Sequence, residues 1–195
     1  IQSPHIIFLI VEKKVGPWYE GYLGEELIED ARNLLEMIQQ EEWLRIKNNV
    51  LKAIASELKE FHDKGFYHSD LNAGNILIRK RWSPEKPVQQ NLGSDEEHEA
   101  KEDSEHYNII FIDLDCMNKS ERVSPGRRRR NIFRLFRSLQ KYAGRQRQTI
   151  EDDLYFLKSY RGEDKNLSLH FEKFLPLHRL FLAFHRPYWM LKRKK

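Results

Sequence analysis

Apolar residues along the chain follow two different spacings, and these spacings predict short strands and long helices. A continuous run of β-branched and aromatic residues, Ile6–Val11, predicts a buried strand that Gly16-Pro17 ends. Apolar residues at three- and four-residue spacing predict a helix over about Glu25–Ile38 and a second over about Trp43–His62. Lys64-Gly65 provides the stop signal of the second helix.

Two further apolar runs in the middle of the chain predict a pair of strands. Ile76–Ile78 and Ile109–Ile112 are short and buried in character, and we expect them to pair as a hairpin. The stretch between them has no periodicity, and Asp95–Glu105 contains seven acidic residues against one lysine. We therefore expect a solvated, disordered insertion at 81–106, at the tip of the hairpin.

The chain after Pro125-Gly126 has helical spacing only. A helix is expected there, because apolar residues recur at helical intervals from Ile132 to Leu139. Two more helices are expected over about Thr149–Tyr160 and about Leu167–Leu191. Because the predicted strands are few and all precede Pro125, the pattern indicates an α+β fold that is mainly helical.

Composition narrows the class of protein. The chain has 195 residues, a net charge of +4, 39% hydrophobic residues and 12% aromatic residues. This is enough apolar surface for one core, so a wholly disordered chain and a large multidomain machine are both excluded. The single Cys116 excludes an intrachain disulfide framework and a cysteine-cluster metal site, which makes a reducing, cytosolic setting the default. No apolar run reaches the roughly 20 residues that would span a bilayer.

The informative polar residues lie in two loops that each adjoin a predicted strand. One loop reads His68-x-Asp70-x-x-x-x-Asn75, and the other reads Asp113-Leu114-Asp115. Phosphoryl transfer needs a carboxylate to accept the proton of the acceptor hydroxyl, and an amide oxygen and a second carboxylate to hold Mg²⁺. Either loop alone is typical of an ordinary turn. Both loops, in this order and each tied to a strand, indicate a phosphotransferase.

Three blocks of sequence carry a resemblance to a known family. The block YHSDLNAGNIL at Tyr67–Leu77 resembles the H-x-D-L-x-x-x-N catalytic loop of the protein-kinase-like superfamily. Within that superfamily it is most similar to the bacterial 3-deoxy-D-manno-octulosonic acid (Kdo) kinase and lipopolysaccharide kinase family. Phe111–Asp115 resembles the I-D-F-D block of that family, and Asn131–Lys141 resembles its N-L-x-R-L-x-R-S-L-x-K helix. The resemblance implies a protein-kinase-like fold, present mainly as its helical C-terminal lobe, with a short β-hairpin that carries the catalytic and metal loops.

The resemblance also implies roles for individual residues. Asp70 is expected to be the catalytic base that orients the acceptor hydroxyl. Asn75 and Asp113 are expected to hold Mg²⁺ against the phosphates of ATP, with Asp115 as a further metal ligand. His68 is interpreted as a brace of the loop, since a lone histidine in such a loop usually stabilises local backbone.

The front of the chain resembles the hinge between the two lobes of a kinase. The backbone of Val11, Glu12 and Lys13 would bind the adenine of ATP there. The first 15 residues are then the last strand of the N-terminal lobe with the hinge, and residues 16–195 are the C-terminal lobe. No glycine-rich phosphate loop and no strand lysine precede this strand, so we expect that the N-terminal lobe is missing from this sequence, is supplied elsewhere, or is degenerate.

Two basic regions are relevant to whether the protein binds nucleic acid or a membrane surface. Arg127–Arg130 fits a nucleic-acid patch, a membrane-contact patch or a solvated helix start, and Phe174–Lys195 combines aromatic and aliphatic residues with a basic end. Helical spacing in Phe174–Lys195 fits a core helix and a helix lying on an anionic membrane surface equally well. Nucleic acid is not expected as a partner, because aromatic and basic residues do not interleave repeatedly.

The function implied by the resemblance is ATP- and Mg²⁺-dependent phosphorylation of a sugar hydroxyl. The expected acceptor is the Kdo of the lipopolysaccharide inner core on lipid A, which places the protein at the cytoplasmic face of the bacterial inner membrane as a peripheral protein. Another small-molecule kinase or an atypical Ser/Thr kinase of the superfamily is the alternative enzyme. A non-catalytic pseudokinase is the alternative outside enzymes.

Overall fold

The computed structural model describes most of the chain. The described residues are 6–14, 16, 19–25, 27–81, 106–113, 116–162, 164, 171 and 173–184. In chain order the elements are β1 (Ile6–Lys13), β2 (Tyr19–Glu25), β3 (Ala31–Asn33), α1 (Leu34–Met37), α2 (Trp43–Asp63), β4 (Phe66–His68), a 3₁₀ turn (Ala73–Asn75), β5 (Ile76–Arg81), β6 (His106–Phe111), β7 (Met117–Lys119), α3 (Pro125–Arg147) and α4 (Ile150–Arg161). Residues 173–184 are helical as well, and are called the 173–184 helix below.

The predicted first strand is present, but it is half of a hairpin that the sequence did not predict. β1 pairs antiparallel with β2, from Lys13↔Tyr19 outward. Gly16 has a φ of 71° at the turn, a conformation that glycine adopts without strain. The predicted boundary between residues 15 and 16 falls at the turn of this hairpin, and it stays a prediction.

The predicted helix over Glu25–Ile38 is wrong except for its last turn. Asp30 has a φ of 59°, outside the helical region, and Ala31–Asn33 forms strand β3 on the edge of β5. Helix α1 begins only at Leu34, because the side chain of Asn33 caps it by accepting a hydrogen bond from the Leu35 amide at 2.8 Å. The ladder to β5 thus outweighs the helical spacing of the apolar residues.

The predicted hairpin is confirmed. β5 and β6 pair antiparallel from Ile76↔Phe111 to Arg81↔His106, and β3 completes a three-stranded sheet in the order β3-β5-β6. The ladder is six residue pairs long, so the loops that precede β5 and follow β6 lie side by side at one end of it. The expected insertion at 81–106 lies almost entirely outside the described residues.

Long helices supply the core. α2 covers the predicted span and buries one face, while α3 begins at Pro125 with the Ser124 hydroxyl accepting from the Arg127 amide at 3.4 Å. α4 begins with a capping box between Thr149 and Asp152. The largest fully buried side chains come from these helices, the hairpin and residue 171: Trp43, Phe61, Phe111, Phe136, Phe156, Tyr160 and Phe171.

The 173–184 helix buries only one side. Leu175 and Leu182 are buried, whereas an outward stripe of apolar side chains is exposed: Leu177, Leu180, Phe181 and Phe184. The rest of the predicted last helix lies outside the described residues. No helix within the described ranges is long and apolar enough to cross a membrane.

Candidate active site

The loop between β4 and β5 carries the predicted base and is tightly held. Asp70 is half exposed, at 56% of its side chain. The Asn72 amide donates to the Asp70 carboxylate at 3.3 Å and to the Asp70 carbonyl at 3.0 Å, while its oxygen accepts from the Gly74 amide at 2.8 Å. The loop therefore folds back on itself around the carboxylate, which fixes the backbone on both sides of Asp70.

The structure brings the two predicted metal ligands into contact. The Asn75 side-chain amide lies 3.2 Å from the Asp113 carboxylate and also donates to the Asp70 carbonyl at 3.1 Å. The Ile112 amide donates to the Asn75 carbonyl at 3.1 Å. Asp113 has a φ of 65°, which is uncommon for a residue other than glycine and recurs at functional sites. Asp70, Asn75 and Asp113 thus form one cluster.

The remaining predicted ligands are placed differently. Asp115 lies outside the described residues. Val11, Glu12 and Lys13 lie at the turn end of the β1–β2 hairpin, where Glu12 and Lys13 are exposed and pair with Glu20 and Tyr19. Their assignment to adenine binding stays a prediction.

His68 braces the two loops, and its hydrogen bonds define its tautomer. The Asp70 amide donates to Nδ1 of His68 at 3.2 Å, so Nδ1 is unprotonated. Nε2 therefore carries the proton and donates it to the Ile112 carbonyl at 3.1 Å. His68 is fully buried, and it joins the loop of Asp70 to the residue before Asp113. This contact pattern supports the interpretation of His68 as a brace.

A series of hydrogen bonds between buried polar side chains, called the buried polar chain below, anchors His68 to α2, α3 and α4. The Asn131 side chain of α3 donates to the His68 carbonyl, accepts from the His68 amide at 3.4 Å, and accepts from Nε2 of His62 at 3.0 Å. His62 in turn accepts from the Tyr160 hydroxyl at 2.6 Å, and Arg128 donates to that hydroxyl at 3.5 Å. Burial lowers the pKa of His62 to about 4 and raises the pKa of Tyr160, so both are neutral here.

Arginine on α3 contacts the predicted base directly. Nη1 of Arg134 lies 3.0 Å from a carboxylate oxygen of Asp70, and about a third of the Arg134 side chain is exposed. Because this ion pair is open to solvent, it contributes little to stability, and its main effect is to orient the Asp70 carboxylate. Asp70 therefore has a charged partner on α3 in addition to the amide of Asn72.

Two more contacts fix the turn before β5. The Ser138 hydroxyl of α3 accepts from the Ala73 amide at 3.0 Å, and the Asn33 amide donates to the Gly74 carbonyl at 2.8 Å. The supporting residues Asn131, Arg134 and Ser138 lie more than 60 positions from the loop that they hold. Sequence reasoning found the block Asn131–Lys141 only as a resemblance and gave its residues no role.

The cluster fits one Mg²⁺ of the kind used with nucleotides. No group of three His, Cys, Asp or Glu side chains forms a metal site within the described part of the chain. Mg²⁺ bound with a nucleotide needs only one or two carboxylates, because phosphates and water supply its other ligands. Asp113 would supply the carboxylate and Asn75 would supply an amide oxygen, since the amide can turn either atom toward the metal.

The described elements have a kinase-like arrangement. A solved structure, "WaaP in complex with acyl carrier protein", is similar to this chain with a TM-score of 0.57 and 14% sequence identity, over 97% of this chain and 69% of that chain. This likeness confirms the predicted α+β, protein-kinase-like fold. The sequence model of the lipopolysaccharide kinase (Kdo/WaaP) family matches residues 1–160, and the chain belongs to that family. No curated protein matches the chain.

Proposed function

We propose that the protein carrying this chain transfers the γ-phosphoryl group of ATP to a hydroxyl of Kdo in the inner core of lipopolysaccharide. Membership of the family supports a kinase that acts on a lipopolysaccharide sugar. The observation that carries the proposal further is the cluster of Asp70, Asn75 and Asp113, joined by hydrogen bonds of 3.1 and 3.2 Å through the Asn75 amide. Pairing of β5 with β6 brings Asn75 and Asp113 together although they lie 38 positions apart.

Each residue of the cluster has a role in this reaction. Asp70 accepts a hydrogen bond from the acceptor hydroxyl and takes its proton as the phosphorus–oxygen bond forms. Asn75 and Asp113 would hold Mg²⁺, which supplies positive charge to the phosphate oxygens of ATP. Asn72 and Arg134 keep the Asp70 carboxylate aimed at one position, and small errors in such placement cost rate heavily.

We extend the proposal to the cytoplasmic face of the inner membrane, where a lipid-linked acceptor and ATP meet. Support comes from the outward stripe of the 173–184 helix, in which Leu177 is 63% and Phe184 is 74% exposed. These side chains recur at intervals of three and four, so they lie on one side of the helix. Such a stripe fits an amphipathic contact with a bilayer surface.

The test is phosphate transfer from labelled ATP to Kdo-lipid A, with lipid A that lacks Kdo as the control acceptor. Asp70→Asn should lower turnover at least about a hundredfold, because it removes the base but keeps the shape of the side chain. Asp30→Asn makes the same chemical change at an exposed turn with a φ of 59° and should leave turnover unchanged. Transfer to lipid A without Kdo, or turnover of Asp70→Asn within a few-fold of wild type, would contradict the proposal.

A further inference from the structure

A cavity of about 410 Å³ lies between α3 and the 173–184 helix, and one of its lining residues, Arg134, contacts Asp70. One wall is a single face of α3, where arginines recur at intervals of three and four: Arg130, Arg134 and Arg137. The opposite wall is formed by His178 and Phe181. Two residues that line this cavity are described above: Arg134 contacts Asp70, and Phe181 belongs to the outward stripe.

Two of the arginines that line this cavity, Arg130 and Arg137, have no acidic partner among the described residues. None of the described residues that line it is acidic. Arg130 and Arg137 form no ion pair with any described residue, and a fourth lining arginine, Arg129, stacks on the ring of Phe174 at 3.7 Å. Several arginines with planar, fork-shaped donors around one cavity fit an anion with several oxygen atoms, such as a carboxylate or a phosphate.

Two of the side chains that line the cavity, Phe133 and His178, form a stacked aromatic pair. The ring of Phe133 stacks on the ring of His178 with 4.2 Å between centroids and an interplanar angle of 15°. Burial lowers the pKa of His178 to about 4, so this ring is neutral at pH 7 and adds no charge. Phe181 is 42% exposed and belongs both to the cavity and to the outward stripe of the 173–184 helix. An apolar path therefore runs from the stripe to the arginines.

Arg134 connects this cavity to the chemistry. Its side chain lines the cavity, and its Nη1 atom lies 3.0 Å from Asp70. An anion that binds to Arg134 from the cavity side therefore contacts the same guanidinium group that contacts the Asp70 carboxylate.

We propose that this cavity is the acceptor subsite, in which Arg130, Arg134 and Arg137 bind the anionic groups of a lipid-linked sugar and set its hydroxyl against Asp70. The carboxylate of a sugar acid and the phosphates of its lipid carrier share the chemistry that the arginines recognise. The inference rests on the proposed function, because it names how that reaction selects its acceptor. The lipid chains lie along the outward stripe, and the sugar enters the cavity.

The first experiment measures binding of the acceptor without nucleotide, so that it does not depend on catalysis. The probes are Kdo-lipid A in detergent micelles, the same compound with its sugar carboxyl reduced to an alcohol, and the same compound without its lipid phosphates. Arg130→Gln and Arg137→Gln should each raise the Kd for Kdo-lipid A roughly tenfold, because each removes a charge-assisted hydrogen bond. Arg45→Gln, at a side chain that is 76% exposed on α2, is the matched control and should stay within twofold.

The two altered probes identify the anion. If the sugar carboxylate is the bound group, the reduced probe binds weakly and Arg137→Gln no longer weakens it further. If the lipid phosphates are bound, the dephosphorylated probe shows that behaviour instead. Either result supports the subsite. Equal affinities of Arg45→Gln, Arg130→Gln and Arg137→Gln for every probe would overturn it, and so would a wild-type protein that binds none of the probes.

Kinetics separate this inference from the proposed function. In the transfer assay Arg137→Gln should raise the KM for the acceptor roughly tenfold and leave the KM for ATP unchanged. Transfer by the wild type with no dependence on Arg130 or Arg137 would overturn the subsite and leave the proposed function intact. Arginine-dependent binding of Kdo-lipid A without any transfer would refute the proposed function and support the binding site.

Discussion

Replacing Asn131 with leucine tests whether the buried polar chain holds the catalytic loop. The substitution keeps the size of the side chain but removes an amide that makes three hydrogen bonds, to the Nε2 atom of His62 and to the amide and carbonyl of His68. His62 and His68 are both fully buried, so water does not replace the lost partners. At about 1 kcal/mol for each bond, Asn131→Leu should lower the free energy of unfolding by about 3 kcal/mol.

The assay is urea denaturation followed by tryptophan fluorescence, with Asn118→Leu as the matched control. Asn118 is exposed on β7 and its amide makes one long bond, at 3.5 Å to the Cys116 carbonyl, so the control should lose less than about 0.5 kcal/mol. Turnover is then measured where both variants are fully folded. Asn131→Leu should lower kcat more than tenfold, because Asp70 follows His68 by two residues and loses its fixed position.

Two results would refute this reasoning. A loss of stability below about 1 kcal/mol would mean that the three polar groups find other partners, so that Asn131 is not what holds His68. A loss of about 3 kcal/mol with unchanged kcat would mean that the buried polar chain of hydrogen bonds supports the core but does not position Asp70.

Three further predictions concern stability. Burial raises the pKa of Asp153 from 3.8 to about 7, so the contribution of Asp153 to stability is present below pH 3.8 and is lost as the pH rises through 7. In urea titrations Asp153→Asn should therefore be more stable than wild type at pH 8, by on the order of 4 kcal/mol, and as stable as wild type near pH 4. The same difference at both pH values would contradict the assignment. Gly65→Ala should cost at least about 2 kcal/mol in the same assay, because Gly65 has a φ of 85° and an added Cβ would lie 2.0 Å from the Ser120 carbonyl oxygen. Gly126→Ala, which has open space, should change stability by less than about 0.5 kcal/mol, and equal effects of the two substitutions would count against the steric argument. Deleting residues 95–105 should change stability by less than about 1 kcal/mol, because closure entropy varies slowly with the length of the connection from Arg81 to His106; loss of activity in a stably folded deletion variant would show that the segment has a function.

The spacing of apolar residues predicted correctly those helices and strands whose formation depends on burying one face. The apolar spacing of α2 and the two apolar runs of the β5–β6 hairpin predicted those elements and their pairing, because burial of one face fixes both. The helical spacing over Glu25–Ile38 failed, since pairing of β3 with β5 is a contact between residues more than 40 positions apart. Strand β2 was missed because its sequence, YEGYLGE, contains two glycines and two glutamates, residue types that are depleted in strands.

The residues of the candidate site also fall into two groups, those that the local sequence predicts and those that only tertiary contacts reveal. Asp70, Asn75 and Asp113 could be found because each adjoins a predicted strand and belongs to a recognisable block. Asn131, Arg134 and Ser138 lie on a helix whose polar residues look like an ordinary solvated face. Nothing in their spacing indicates that they turn toward a loop more than 60 residues earlier, so only the tertiary structure assigns them roles.

The polar chain from Tyr160 to His68 also sets an order of events during synthesis. The ribosome completes the loop of Asp70 and Asn75 long before α4, since Tyr160 follows Asn75 by 85 positions. At roughly 5–20 residues per second, that interval lasts about 4 to 17 seconds. Asp113 is added 38 positions after Asn75, and from then until Tyr160 is added the nascent chain contains all three residues of the cluster without the helix that anchors His62. The cluster can therefore acquire its final geometry only late in translation, and strand β5 next to it has no partner in the hairpin until residues 106–111 have been added.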